Sequence, residues 1–165
     1  MSGLGHVGLG FAAKGVIPKT KLIVLLLATE VLDMLWIIFY LAGIRSSWVT
    51  HGLVMAAVWT LTTVLLTVLI THSLRTSLII GLLVFSHWIV DFITHPMGFI
   101  IPADIGVPLL FEGSPIVGLG LYNTLGGILL GESILILPGV FIYLSASKRI
   151  RKMNRSSEGG LKQSM

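Results

Sequence analysis

The sequence predicts an all-α integral membrane protein with four transmembrane helices and a short N-terminal re-entrant or interfacial helix. Three observations lead there. The 165 residues are 55% hydrophobic and only 11% charged, where a soluble domain carries about 25% charged residues; mean hydropathy is +0.97. Long apolar runs recur along the chain, and crossing about 30 Å of hydrocarbon takes about 20 such residues. Eight of the eleven basic residues fall in two groups beside apolar runs, Lys14/Lys19/Lys21 and Lys148/Arg149/Arg151/Lys152/Arg155. That placement marks cytoplasmic loops and argues against a nucleic-acid partner, despite the net charge of +4. The chain has no cysteine, so neither disulfides nor thiolate ligands are available.

In chain order, residues 3–13 are apolar but too short to span, hence re-entrant or interfacial. Lys14 and Pro18-Lys19-Thr20-Lys21 return the chain to the cytoplasmic surface. Leu22 to Ile44 is the first span, interrupted only by Glu30 and Asp33. Arg45-Ser-Ser-Trp48 is a short outer turn with an interfacial aromatic, and Thr50 is placed to cap a second helix from about His51 to Ile70. His72 and Arg75 lie in an inner turn. A third helix runs from about Ser77 to His95. Pro96 to Pro115 holds four prolines with Asp104 and Glu112, so it is an outer loop or broken cap, its acids solvated. A fourth, glycine-rich helix runs from about Val117 to Ser145. Residues 1–147 form one transmembrane domain; 148–165 are a basic, Ser/Gly-rich tail expected to be disordered. Four spans put both termini in the cytoplasm.

The chemistry concentrates in the third helix. His87, Asp91 and His95 are spaced four apart and stack on one helical face. An ionisable group at the bilayer centre costs about 2.5–3.5 kcal/mol on insertion scales, so this face turns away from lipid. Counting about 1.5 Å per residue from the basic anchors puts Asp33 and His87 roughly 18 Å deep, and Asp91 and Glu132 near 24 Å. His51 and His95 fall near the outer surface. His6 reaches the lower edge of this level if residues 3–13 dip into the membrane, and cannot if they lie flat. Convergence on one interior site avoids separate burial of each charge.

Imidazole with carboxylate suits Zn²⁺, Mn²⁺ or Fe²⁺, zinc first. The ligand candidates are His6, Asp33, His87, Asp91 and His95, with Glu132 or His51 as general base. The bland readings are a buried ion pair for His87–Asp91, a helix-joining hydrogen bond for Asp33, and ordinary interfacial roles for His51 and His95. Glu30, one turn before Asp33, either supports the site or faces a water-filled vestibule. The glycine run 118–127 has no lysine and follows no strand, so it is no phosphate loop. Gly127 and Gly131 instead fit a helix-packing face, and Asn123 is the polar group there able to contact a substrate.

Gly5-His6, Leu32-Asp33, Thr50-His51-Gly52-Leu53, His87-Trp88-Ile-Val-Asp91-Phe92 and Gly118-Leu-Gly-Leu-Tyr-Asn123 together resemble the membrane-bound metal-dependent hydrolase-like proteins. These are small prokaryotic inner-membrane proteins grouped with LexA-regulated hydrolase-like proteins, with a distant kinship to zinc-dependent phospholipase C-like enzymes. The likeness covers about residues 5–135. It implies an all-helical membrane protein with a divalent-metal site on His6, Asp33, His51, His87 and Asp91, extending to His95 and Glu132. The chain departs from the pattern in its Arg45-Ser-Ser-Trp-Val-Thr turn and in the long apolar loop opened by Pro96-Met97-Gly98.

The leading expectation is a metal-dependent hydrolase of the cell (inner) membrane, acting on a lipid or other phosphoester or ester through a site open to the outer leaflet. The alternatives are a small proton-coupled transporter, whose intramembrane acids and histidines relay protons, and a scaffold whose polar residues only join helices.

Overall fold

The structure, a computed structural model, describes residues 5–163. Residues 3–4 of the first predicted segment and 164–165 of the tail lie outside the described residues. The chain is mostly helical: α1 (Gly5–Val16), α2 (Leu22–Thr29), α3 (Val31–Leu41), α4 (Trp48–His51), α5 (Leu53–Thr71), α6 (Leu74–Thr94) and α7 (Leu125–Gln163). Between α6 and α7 lies a long loop. It carries a two-residue antiparallel ladder, β1 (Val107–Pro108) with β2 (Ile116–Val117), and a 3-10 turn at Leu121–Asn123.

Three helical stretches are long and apolar enough to cross a membrane: Leu53–Thr71, Leu74–Thr94 and Leu125–Arg149. A fourth exists if α2 and α3 are one span, bent by 60° at Glu30. The sequence offers no proline or glycine at that bend, and reads straight through it. The break has a side-chain cause. The Thr29 carbonyl oxygen accepts a hydrogen bond from His87 Nδ1 at 2.6 Å, and Thr29 Oγ1 turns back onto the Leu26 carbonyl at 2.7 Å. A side chain inserted into the helical ladder is one of the recognised origins of a sharp kink.

Helix α6 is the hub. Its buried residues run from Ser77 to Thr94 and meet α1, α2, α3 and α5. Ser73 caps its start, accepting the Thr76 amide. Helix α1 packs along α7 and against α2 and α6, burying Gly5, His6, Gly8, Gly10 and Ala13. Its closest approach is at Gly8 and Gly139, where a methyl group on either residue would strike backbone of the other helix. That contact brings His6 into the bundle. Two apolar clusters lie on either side of the break: Ala13, Ile17, Leu25, Ala28, Ile80 and Leu83 below it, and Leu32, Ala56, Val84 and Trp88 beyond it.

The bounds of the fourth long helix differ from the sequence reading, which runs it from about Val117 to Ser145, whereas α7 runs from Leu125 to Gln163. Its single proline is Pro138, and the Lys/Arg-rich stretch 148–155 is mostly good helix formers, while Ser156-Ser157 and Gly159-Gly160 beyond it are poor ones.

Candidate metal centre

Asp91 is the middle of the site. It lies on the buried face of α6, its side chain 1% exposed, and each of its oxygens meets two imidazoles. Oδ1 is 3.4 Å from His6 Nε2 and 3.7 Å from His95 Nε2. Oδ2 is 3.4 Å from His87 Nε2 and 3.5 Å from His51 Nε2. Asp33 Oδ1 adds a second carboxylate, 3.1 Å from His51 Nε2 and 3.7 Å from His87 Nε2. Among the described residues, two groups have donor atoms all within 4.8 Å of one another: His6/His87/Asp91 and Asp33/His51/His87.

The spacing identifies what the cluster suits. Donors held about 2.0–2.1 Å from one zinc-sized ion, at the corners of a tetrahedron, stand about 3.3 Å apart. The six nitrogen–oxygen distances run from 3.1 to 3.7 Å. His87 Nε2 and Asp91 Oδ1 are buried and lie out of hydrogen-bond alignment with any partner, although both are within ion-pair distance of neighbours. Buried polar atoms in proteins are overwhelmingly hydrogen-bonded, so each exception calls for an explanation. A cation shared among them is one that fits the residues present.

Two of the imidazoles, His87 and His51, are held from behind. A carbonyl oxygen only accepts, so His87 Nδ1, against the Thr29 carbonyl, carries the proton. Its Nε2 lone pair is thereby aimed at the two carboxylates. His51 Nδ1 lies 2.7 Å from Thr50 Oγ1, whose own hydroxyl is placed to donate to the Ser47 carbonyl at 3.4 Å. Two tautomers fit: with no ion, His51 Nε2–H donates to Asp33 Oδ1 at 3.1 Å and Nδ1 accepts the Thr50 hydroxyl, whereas with Nδ1–H donating to Thr50, Nε2 is a lone pair available to an ion. Such backing of a ligand by a hydrogen-bond acceptor is the usual outer arrangement of metal-binding histidines. His6 Nε2 is 3.3 Å from the His87 carbonyl oxygen as well as 3.4 Å from Asp91. As N–H it donates to the His87 carbonyl; with that proton on Nδ1 instead, the same nitrogen can serve as a ligand.

His95 sits just past the end of α6, as its C-cap, and still reaches Asp91. The sequence reading missed its partner. Asp104, assigned there to solvent, has a side chain 11% exposed with Oδ2 2.7 Å from His95 Nδ1. The pair is at contact distance without hydrogen-bond alignment at Nδ1. The amides of Met97 and Gly106 donate to the Asp104 carboxylate. The available signal was compositional: Asp104 and Glu112 are the only charges in 96–115. The loop is tied down at both ends. Gly98 N–H donates to Asn123 Oδ1 at 2.9 Å, so Asn123 staples the loop. Leu119 and Gly120 amides donate to the Phe92 and His95 carbonyls, satisfying the end of α6. At Gly118 a methyl group would collide with the His95 carbonyl, so only glycine fits.

A cavity of about 310 Å³ opens onto the cluster, lined by Asp33, His51, Asp91 and His95 with Trp36 and the loop residues Ile101 to Pro108. His6 and His87 stand behind it, 1% and 0% exposed. The site therefore has buried donor atoms at the back and an open, mostly apolar mouth in front.

Glu132, assigned in sequence as general base, does not join the cluster. Its carboxylate accepts the Tyr122 hydroxyl at 2.8 Å, and it belongs to neither donor group and lines no part of this cavity. Counting residues along a helix gives depth but not rotation, and α7 turns this residue toward the 3-10 turn. Burial raises the Tyr122 pKa above its ordinary value, with the hydrogen bond and charge of Glu132 adding to it. His51, the other residue assigned to base work, stands among the donors instead. Glu30 lies at the helix break and accepts from the Thr29 hydroxyl at 3.2 Å.

No family model, curated protein or solved structure matches the chain.

Proposed function

We propose that this is a multi-pass membrane hydrolase in which the Asp33/His51/His87/Asp91 region holds a divalent metal, zinc first, with manganese or iron also fitting the donors. Its substrate is an ester or phosphoester of a membrane lipid. Four spans, α2–α3 serving as a broken one, place both termini on the cytoplasmic side of an inner membrane and open the cavity to the other side. The likeness to the membrane-bound metal-dependent hydrolase-like proteins agrees with this reading.

One observation supports it above the rest: His87 Nε2 and Asp91 Oδ1, fully buried, face other donors at metal-ligand spacing with no aligned hydrogen bond. A divalent ion, when bound, supplies Lewis acidity and lowers the pKa of a coordinated water toward 7. The chain's own residues do the rest. Thr29 and Thr50 hold two imidazoles in the tautomer that presents Nε2. Asp104 holds His95 at the cavity wall, where its Nε2 faces the reacting space beside Asp91. Trp36, Ile101 and Val107 line an apolar path for an acyl chain, and the buried back wall of His6 and His87 keeps bulk water to one side.

Metal analysis tests this directly. Purified wild type carries stoichiometric metal, and chelation lowers its melting temperature. Binding at 100 to 1,000 times Kd contributes about 2.7–4.1 kcal/mol of apparent stability, so the shift is measurable. His87→Ala, which removes the most buried donor, loses the metal and the chelator sensitivity. Metal-free wild type with a melting curve indifferent to chelator removes the proposal.

A second reading draws on the broken span, since discontinuous helices also build transporter sites. It requires flux in liposomes driven by a pH gradient and abolished in Asp91→Asn.

A further inference from the structure

The loop between α6 and α7 presents an unusual surface for a chain segment outside the helices. Phe99, Ile100, Ile105, Phe111, Ile116 and Leu119 are all exposed by 44% or more, with Ile105 at 74% and Leu119 at 68%. The loop's two acids do not offset this. Asp104 is turned inward onto His95, which leaves Glu112 as the one outward charge in 96–115. An exposed apolar patch of this kind marks an interaction site.

The neighbouring residues say what covers it. Helix α6 has 21 residues, about 32 Å at 1.5 Å per residue, which matches the hydrocarbon thickness. The loop therefore starts at the membrane boundary and ends where the apolar stretch of α7 begins. Aromatic side chains gather at the same end: Trp36 and Tyr40 pack with their rings tilted by 30°, Arg45 lies 5.6 Å over the Tyr40 ring, and Trp48 opens α4. Trp and Tyr concentrate at membrane–water interfaces, and Trp36 shares the cavity with Ile101. The loop's apolar side chains also continue the exposed apolar surface of the helices it joins, such as Ile89 and Ile93 on α6 and Leu125 and Leu129 on α7.

We infer that the 97–119 loop is a membrane-inserted surface: its exposed apolar side chains lie in the boundary between headgroups and acyl chains of the bilayer leaflet at the cavity end. Insertion of this kind places apolar side chains about 5–10 Å into that boundary. The partner is the lipid bilayer itself. The inner side of the same loop carries Asp104 and the cavity wall, so the cavity mouth between Trp36 and Ile101 lies at the level where a lipid's ester groups reside. The placement of the loop stands whether or not the site is hydrolytic.

The absence of native cysteine makes the test clean. Single-cysteine variants Ile105→Cys, Phe111→Cys, Glu112→Cys and Leu65→Cys are labelled with an environment-sensitive fluorophore and reconstituted into liposomes. Leu65, 65% exposed on α5, reports correct insertion. Labels at 105 and 111 should show blue-shifted emission, quenched by spin-labelled lipid bearing its nitroxide near the headgroup and spared by aqueous iodide. The label at 112 should be quenched by iodide. Iodide quenching at 105 and 111 overturns the inference, because the loop then faces water. Protection there from both quenchers overturns it too, because another protein surface then covers the loop.

Discussion

His87 has one nitrogen to offer a metal, because the Thr29 carbonyl holds the other, and on the proposed reading the Thr50 hydroxyl accepts from His51 Nδ1 when its Nε2 binds an ion. That makes Thr50 a sharper probe than any ligand, since it touches no donor site itself. Thr50→Val keeps the shape of a fully buried side chain and removes the acceptor for Nδ1. Loss of such an outer hydrogen bond typically costs about 10–100-fold in metal affinity, against only about 1 kcal/mol of fold stability. Competition with a graded series of chelators reads the affinity; an unchanged value would show that His51 is not a ligand. At this scale the sequence was informative where spacing was regular. His87 and Asp91, four apart on an apolar helix, announce one face. Asp104 was not legible, because a proline-rich loop has no periodicity to say which way an acid points, and its bond to His95 depends on the loop folding back.

The helices follow from apolar runs, but three of their properties depend on tertiary contacts. The bend at Glu30 arises from His87, 58 residues away in sequence from the Thr29 it contacts. The rotation of α7 that sends Glu132 to Tyr122 follows from packing, whereas depth alone follows from counting. The burial of α1, left open between a dip and a flat placement, is decided by glycines. At Gly8 an added Cβ would lie 2.6 Å from the Leu135 carbonyl carbon and 3.0 Å from Ile136 Cα, both backbone. Gly8→Ala should therefore push α1 off α7 and carry His6 with it. Overpacking of this kind costs typically 1–3 kcal/mol. The expected outcome is a lower melting temperature together with weaker metal binding, in a variant that alters no ligand. Gly126→Ala, with nothing within 4 Å of the added methyl, serves as the control and should change neither. Equal metal affinity in both variants would detach His6 from the centre.

For the molecule as a whole, the four-span reading requires α2 and α3 to cross the membrane as one broken span, where a re-entrant pair would turn back. The two ends of the bundle are marked by their neighbours. Lys19 and Thr20, before α2, line one pocket with Arg75 and Thr76 at the start of α6, and Arg75 reaches toward the Val16 carbonyl. Ser47, after α3, lines the cavity at the His/Asp cluster with the loop that follows α6. On the proposed four-span reading, α2–α3 connects the same two ends as α6 by a bent path, its kink lying beside the buried imidazoles, where irregular backbone is tolerated because protein and not lipid surrounds it. Lys19→Cys and Leu74→Cys should react with a membrane-impermeant maleimide from one side of sealed vesicles, and Ser46→Cys only from the other. A re-entrant pair would bring position 46 to the side of position 19, and labelling of both from that side would remove the four-span reading.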